Sequence, residues 1–360
     1  MRLRLPFRYL EPTIFSGLLD DPLLLARIRP LGRSILIDCG QIHHLAKRVV
    51  KSLDAVFVSH AHMDHFMGVE TLTRNVHISP RTVDLYGPPG IAEKMTHKLA
   101  GYDWNLREAF WGSYRVHEVG PETIASHLLS GPEGFACRHL EERPRRDRTI
   151  YRNGYLTVEA ELCDHKIPVL AFKLTERPAF AVDEAELAAR GLVKGPWLAT
   201  LKKKFCEGAL DGAPVTILRR CGDGVAQERI GDGAALYREI RRRHDPASIG
   251  YVTDIAFSEA NLETIRNLMR GVTLLVCECS YLAEDRERAR KSAHLCTTDV
   301  NTILKELRPA YFVPMHLSKN YLGLSGLLYR QLEVPPGTTL LRLPEHVTPR
   351  PLLPGEVGRI

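Results

Sequence analysis

Three imidazoles and a carboxylate crowd into Ser59-His60-Ala61-His62-Met63-Asp64-His65. The apolar run Ala55–Ser59 leading into them reads as a strand, and a helix is expected to begin near His65. At a strand end, residues two apart point the same way, so His60 and His62 can grip one cation together. Asp64 and His65 follow as the chain turns, which aims them at a neighbouring point. Two ligand pairs on one strand end make a platform for two ions roughly 3.5–4 Å apart, the arrangement of metal-assisted hydrolysis. The bland alternative is a surface histidine cluster without metal, but H-x-H-x-D-H is far more specific than any lone histidine.

Four residues cannot complete two cation sites, and the remaining ligands are sought at other strand ends. His165 falls in the turn between apolar runs ending at Leu162 and beginning at Val169, Asp254 ends Ile249–Asp254, and His316 follows Ala310–Pro314. Each alone is an ordinary loop residue; together with the cluster they favour a metal centre. Imidazole with some carboxylate suits two zinc ions per chain, with manganese or iron left open by the ligand set. Asp38, ending the run Ser34–Asp38, either orients a histidine ligand or fixes the turn at Cys39-Gly40.

The elements that must position these groups alternate between short apolar runs and helical patterns, an α/β signature. Further strands are expected at Leu23–Ile28, Val83–Gly87, Leu156–Leu162, Val169–Leu174 and Thr273–Glu278. Two stretches break the pattern, 130–153 and 176–232, and both read as solvated loops. With 360 residues, 44% hydrophobic, the chain can bury a large core. A net charge of +6 permits an anionic substrate without arguing for nucleic acid. The eight cysteines show no disulfide framework and no C-x-x-C pair, so they read as mostly buried thiols, with Cys277 and Cys279 in the core. No run approaches the roughly 20 apolar residues of a membrane span, and the N-terminal MRLRLPFRYLEP lacks a signal-peptide core. The expected location is cytoplasmic.

In order along the chain, these segments resemble the metallo-β-lactamase superfamily: Asp38-Cys39-Gly40 its first motif, His60–His65 its defining second. Within it, residues from about Asp20 to Tyr321 are similar to the ribonuclease Z family. His165-Lys166-Ile167-Pro168 looks like that family's third motif and Tyr251–Asp254 its fourth. Glu278, in LLVCECSYL, aligns with the Glu of a His-Glu-Ala-Thr motif, His294 with a His-Ser-Thr loop, and His316 with the last metal-binding histidine. Met63 stands where the family usually has glycine, and Ser318-Lys319-Asn320-Tyr321 where it commonly has Ser-x-Arg-Tyr. The resemblance implies a four-layer αββα sandwich, one domain over 1–360, with a protruding tRNA-gripping arm inserted at 176–211. On the arm, Gly195-Pro196-Trp197 would mark a Gly-Pro motif, and Lys202, Lys203 and Lys204 would contact phosphates, as would Ser318 and Lys319 near the site.

The implied ligand sets are His60, His62 and His165 for one ion and Asp64, His65 and His316 for the other, bridged by Asp254. His294, held by Glu278, would protonate the leaving ribose oxygen. Asp64 is also the candidate base, although a carboxylate bound to a cation is a poor one. The implied activity is an endoribonuclease that removes 3′ trailers from precursor tRNA, working as a homodimer whose arms serve each other's sites. Its main rival is a dinuclear phosphodiesterase or other ester hydrolase acting on a small molecule. A nucleic-acid-binding protein without turnover and a β-lactamase or thioesterase rank lower.

Overall fold

Apolar residues that alternate along a strand, or fill it entirely, build two sheets in the computed structural model, which describes residues 5–222, 224–242 and 245–347. Strands β1 (Leu10–Ile14), β2 (Leu24–Ile28), β3 (Arg33–Ile37), β4 (Leu53–Phe57), β5 (Thr82–Gly87), β6 (Ser113–Val119), β7 (Thr123–Ser130) and β8 (Ala136–Pro144) line up in chain order as one eight-stranded sheet. Its centre, β3 to β6, is parallel, and the strands outside it are antiparallel. The second sheet begins with β9 (Thr149–Arg152), β10 (Leu156–Asp164) and β11 (Pro168–Glu176). The chain then forms a separate hairpin, β12 (Val215–Cys221) and β13 (Gly224–Ile230), before returning. With β14 (Ser248–Val252), β15 (Leu274–Glu278), β16 (Tyr311–Met315) and β17 (Thr339–Leu340), the seven-stranded order is β17-β16-β15-β14-β11-β10-β9.

The two sheets meet face to face, with Phe57 of β4 edge-on to Phe172 of β11 at 5.7 Å. Helices Val69–Val76 and Ile91–Ala100 bury Leu72, Val76, Met95 and Leu99 against Leu36, Val56, Leu85 and Val116 of the first sheet. Helices Glu259–Leu268 and Thr297–Leu307 bury Leu262, Ile265, Ile303 and Leu304 against Val252, Leu275 and Cys277 of the second. Every residue of β14 and β15 is buried, because both faces of that parallel region are covered. This is the expected αββα layering. It turns the C-terminal ends of β3, β4, β14, β15 and β16 toward one site.

After β17 the chain forms a strap beside that site. The N–H groups of Leu18 and Leu19 donate to the carbonyls of Pro344 and Glu345. His346 Nδ1 lies 2.8 Å from Asp20 Oδ1, and the Val347 N–H donates to Asp20 Oδ2 at 2.6 Å. The Glu345 carboxylate accepts from the N–H groups of Gly323 and Ser325.

The described residues divide into two compact units, one of residues 5–152, 156–176 and 247–347, the other of 153–155, 177–222, 224–242 and 245–246. Residues 1–4 and 348–360, the ends of the domain expected over 1–360, lie outside the described residues. Residues 176–232 are not a solvated loop. Within the second unit, Leu187, Trp197, Leu201, Ile217, Leu236, Tyr237 and Ile240 form a core of their own. Short helices (Glu184–Ala189, Trp197–Glu207, Gly233–Ile240) and β12–β13 surround it. Their apolar positions are too widely spaced in sequence to show a period. Residues 130–153 are likewise mostly strand: β8 is exposed along its whole length and held by pairing with β7, so no buried face marks it. Among the described residues, no helix is long and apolar enough to cross a membrane. Cys39, Cys163, Cys277, Cys279 and Cys296 are buried free thiols, while Cys137, Cys206 and Cys221 are exposed.

Candidate metal centre and proton-donor site

β4 delivers His60 and His62 from the turn after its last residue, and the helix Met63–Phe66 carries Asp64 and His65. His165 sits in the β10–β11 turn, Asp254 two residues beyond β14, and His316 one residue beyond β16. Ligand atoms of His60, His62, His165 and Asp254 fall within 4.8 Å of one another, and so do those of Asp64, His65, Asp254 and His316. Asp254 belongs to both groups: its Oδ2 is 3.6 Å from His60 Nε2 and 3.3 Å from His65 Nε2. His316 Nε2 lies 3.0 Å from Asp64 Oδ2. Asp38 (φ 59°), Asp254 (φ 41°) and His316 (φ 59°) all adopt the left-handed backbone region, as do Lys166 and Ala293 beside His165 and His294. Such conformations cost of order 1–3 kcal/mol each and collect where structure overrides local preference.

Hydrogen bonds from behind fix which ring nitrogen faces the centre. Asp38 is fully buried and accepts from the Ser59 N–H (2.7 Å), Ser59 Oγ (3.0 Å), His65 Nδ1 (2.8 Å) and the Tyr251 hydroxyl (2.8 Å). Ser59 gives its single proton to Asp38, so its lone pair accepts from His60 Nδ1 at 3.1 Å. His165 Nδ1 donates to the Ala293 carbonyl at 2.8 Å. In each case the other nitrogen, Nε2, is left facing the centre. Asp38 therefore orients His65, one of the candidate ligands. Ser59 and Tyr251 were not singled out from sequence for this role, although both lie inside the motifs.

Glu278 plays a parallel part on the other sheet. Its Oε1 accepts from the Ile255 N–H (2.7 Å), beside Asp254, and its Oε2 accepts from Ser280 Oγ (2.7 Å), His294 Nδ1 (3.1 Å) and the Leu295 N–H (3.2 Å). Ser280 also reaches His316 Nδ1 at 3.1 Å. The structure thus brings His294 and Glu278 together and joins them through Ser280 to His316, a candidate ligand. An open pocket of about 330 Å³ lies over this arrangement, lined by Asp20, Asp21, Asp64, Ser280, His294, His316, Ser318 and Lys319 among others. Ser318 and Lys319 are therefore at the site. Gly195, Pro196, Lys202, Lys203 and Lys204 lie in the second unit. There Gly195 packs so closely on Leu218 that a Cβ would sit 2.7 Å from its Cδ1, and Lys202 and Lys203 are exposed on the helix Trp197–Glu207.

The electrostatics of the centre call for a cation. Burial, reinforced by neighbouring His65, pushes the His60 pKa down to about 2, keeping it a neutral ligand. Burial also opposes charge on His65, yet the carboxylates of Asp254 and Asp38 outweigh it and hold that ring well above its usual pKa. Against burial, His316 and His65 hold Asp254 well below the usual carboxylate range. His65 Nε2 is buried with no hydrogen-bond partner, although carboxylate oxygens of Asp254 and Asp64 lie 3.3 and 3.5 Å away. A buried donor atom left unsatisfied between two carboxylates fits a bound metal ion. At His294, burial works against the charged ring, but Glu278 outweighs it and lifts the pKa to about 9.

The sequence profile described as "Beta-lactamase superfamily domain" matches residues 33–158. A ribonuclease Z of Deinococcus radiodurans is 31% identical over 290 residues, covering 80% of this chain and 83% of that protein. The chain belongs to the ribonuclease Z family. A second ribonuclease Z, from Microcystis aeruginosa, is 27% identical over 320 residues, covering 85% of this chain and 83% of the relative. Among solved structures, a metallo-β-lactamase fold protein of Bacillus subtilis overlays with a TM-score of 0.51 at 12% identity, over 93% of this chain and 97% of its own. The yeast long-form RNase Z overlays with a TM-score of 0.52 at 12% identity, over 94% of this chain and 41% of its own. These two likenesses establish the metallo-β-lactamase fold. Ribonuclease Z membership rests on the sequence relatives.

Proposed function

We propose that this member of the ribonuclease Z family is a metal-dependent endoribonuclease that removes 3′ trailers from precursor tRNA. One observation carries the proposal: two candidate cation sites share Asp254, and a carboxylate–imidazole pair, buried Glu278 and partly exposed His294, stands on their open side. His60, His62 and His165 would hold one ion, Asp64, His65 and His316 the other, with Asp254 between them. Two zinc ions suit this donor set. Bound there, they would supply Lewis-acid chemistry, neutralising phosphoryl charge and acidifying a water.

The chain's own groups divide the remaining work. Lys319 offers a positive charge to the substrate phosphate from the pocket wall, and the Ser318 hydroxyl is occupied at 3.4 Å with the Asn320 N–H. His294, charged at neutral pH through Glu278, can deliver a proton to the departing ribose oxygen. Cleavage then leaves a 3′-hydroxyl on the tRNA and a 5′-phosphate on the trailer. Asp64 is tied to His316 and His65, so it acts as a ligand before it acts as a base. Gly195, Pro196 and Lys202–Lys204 would grip the tRNA body. A homodimer and a cytoplasmic location belong to the same proposal; the first is checked by light scattering.

The deciding experiment is cleavage of a 3′-extended precursor tRNA by zinc-loaded protein, with Asp64→Ala as the control. A single cut near the discriminator base, lost in the variant, is expected. No cut, alongside Asp64-dependent hydrolysis of a chromogenic phosphodiester, would replace this reading with a small-molecule phosphodiesterase.

A further inference from the structure

Two carboxylates in the pocket belong to neither cation site nor to the proton-donor pair; Asp20 is engaged by Gly17, His346 and Val347, which leaves Asp21 facing the substrate space. Asp21 is half-buried and lines the pocket with Asp64, His294 and Lys319. Its Oδ2 accepts the Gln41 N–H at 3.2 Å, while its Oδ1 has no hydrogen-bond partner among the described residues. The stem is equally fixed: a Cβ on Gly40 would lie 2.6 Å from Asp21 Cβ and 2.0 Å from the Asp64 carbonyl, so the three backbones are pressed together. Asp21 is thus a positioned acceptor one residue-width from a metal-ligand candidate, in a pocket for an anionic substrate. A free anion beside a phosphate is unfavourable unless the substrate brings a donor to meet it.

Hydroxyls are the donors an RNA chain places nearest a reacting phosphorus. The 2′-hydroxyl is vicinal to the leaving O3′, which the position of His294 brings to this same pocket. Base amino groups lie farther out along the nucleotide. Resting on the ribonuclease reading above, we propose that Asp21 accepts a hydrogen bond from the 2′-hydroxyl beside the scissile bond and so makes the site select RNA over DNA. Asp21 then complements Lys319: the lysine meets the phosphate and the aspartate meets the sugar. Neither reads the base, in keeping with a cut defined by tRNA shape.

The test is a cycle between one side chain and one substrate atom. Precursor tRNA, all-ribose or carrying a single 2′-deoxy residue just 5′ of the scissile phosphate, is cleaved by wild type, Asp21→Ala and Asp21→Asn. Wild type should lose about 10- to 100-fold in kcat/KM on the deoxy substrate, the worth of a hydrogen bond to a charged group. Asp21→Ala should cleave both substrates at the lower rate, and Asp21→Asn, which keeps an acceptor oxygen, should recover part of the discrimination. Native mass spectrometry should find the same metal content in all three. Equal deoxy penalties in wild type and Asp21→Ala overturn the proposal, as does loss of metal from Asp21→Ala, which would make Asp21 part of the cation site. Failure of wild type to cut even the all-ribose tRNA overturns the ribonuclease reading and this proposal with it. A cut with unchanged ratios overturns this proposal alone.

Discussion

Asp38 and Glu278 are fully buried carboxylates on opposite sheets, and each accepts from a serine hydroxyl and one histidine ring, with a second histidine reached through the serine. One backbone N–H and the Tyr251 hydroxyl complete Asp38; two backbone N–H groups complete Glu278. Their difference lies in what the rings face. Around Asp38, both His60 and His65 are wholly enclosed and turn Nε2 to the candidate metal centre. Around Glu278, both rings open to the pocket, His316 with 17% and His294 with 16% of the side chain exposed. His316, linked to Glu278 through Ser280, turns Nε2 to Asp64, while His294 has Glu278 directly behind it. One chemical device thus serves two ends. On the proposed reading, the Asp38 side holds candidate ligands only, and the Glu278 side holds one candidate ligand and the candidate proton donor.

The comparison breaks most visibly at His294. His294→Ala should lower kcat on the order of 10²–10⁴-fold, the usual worth of a general acid, while metal content measured by mass spectrometry stays at the wild-type level. Metal loss from that variant would erase the distinction between the two carboxylates. Asp38→Ala should do the reverse first, weakening metal affinity roughly 10- to 100-fold in a chelator competition, with activity restored at high metal concentration.

Glu278→Gln sharpens the contrast by pH. Glu278 raises the His294 pKa, so removing its charge lets that pKa fall. The protonated acid is then lost at lower pH, and the alkaline limb of the kcat profile should move to lower pH. A limb that stays put would separate Glu278 from the proton donor. The smallest effect is expected at Tyr251→Phe. It removes one of four donors to Asp38 and should cost roughly 1–3 kcal/mol of stability in denaturant melts, leaving the pH profile unmoved.

Legibility in the sequence followed what each residue depends on. The H-x-H-x-D-H run and the strand ends at His165, Asp254 and His316 could be read because apolar strands announce their own ends: the run begins three residues past β4, and the other candidate ligands sit one or two residues past theirs. Asp38 could be read only as a choice between two roles, since its partners His65 and Tyr251 lie 27 and 213 residues away. Ser59 and Ser280 are ordinary residues whose importance comes from a single shared proton. β8 escaped because an exposed strand has no buried face, and the second unit because its core is gathered from residues scattered between Leu187 and Ile240. The pairing of His294 with Glu278 rested on family resemblance alone.

The strap of residues 344–347 bears on timing. The turn it fastens, Leu18 to Asp20, is made well before its fasteners, which come more than three hundred residues later (Asp20 to Val347 spans 327). At roughly 5–20 residues per second, that interval is on the order of tens of seconds. For most of it a nascent chain already carries the histidine cluster and the Gln41 N–H that meets Asp21, while Asp20 still lacks its partners in residues 344–347. The wall bearing Asp20 is thus completed only once His346 and Val347 have been made.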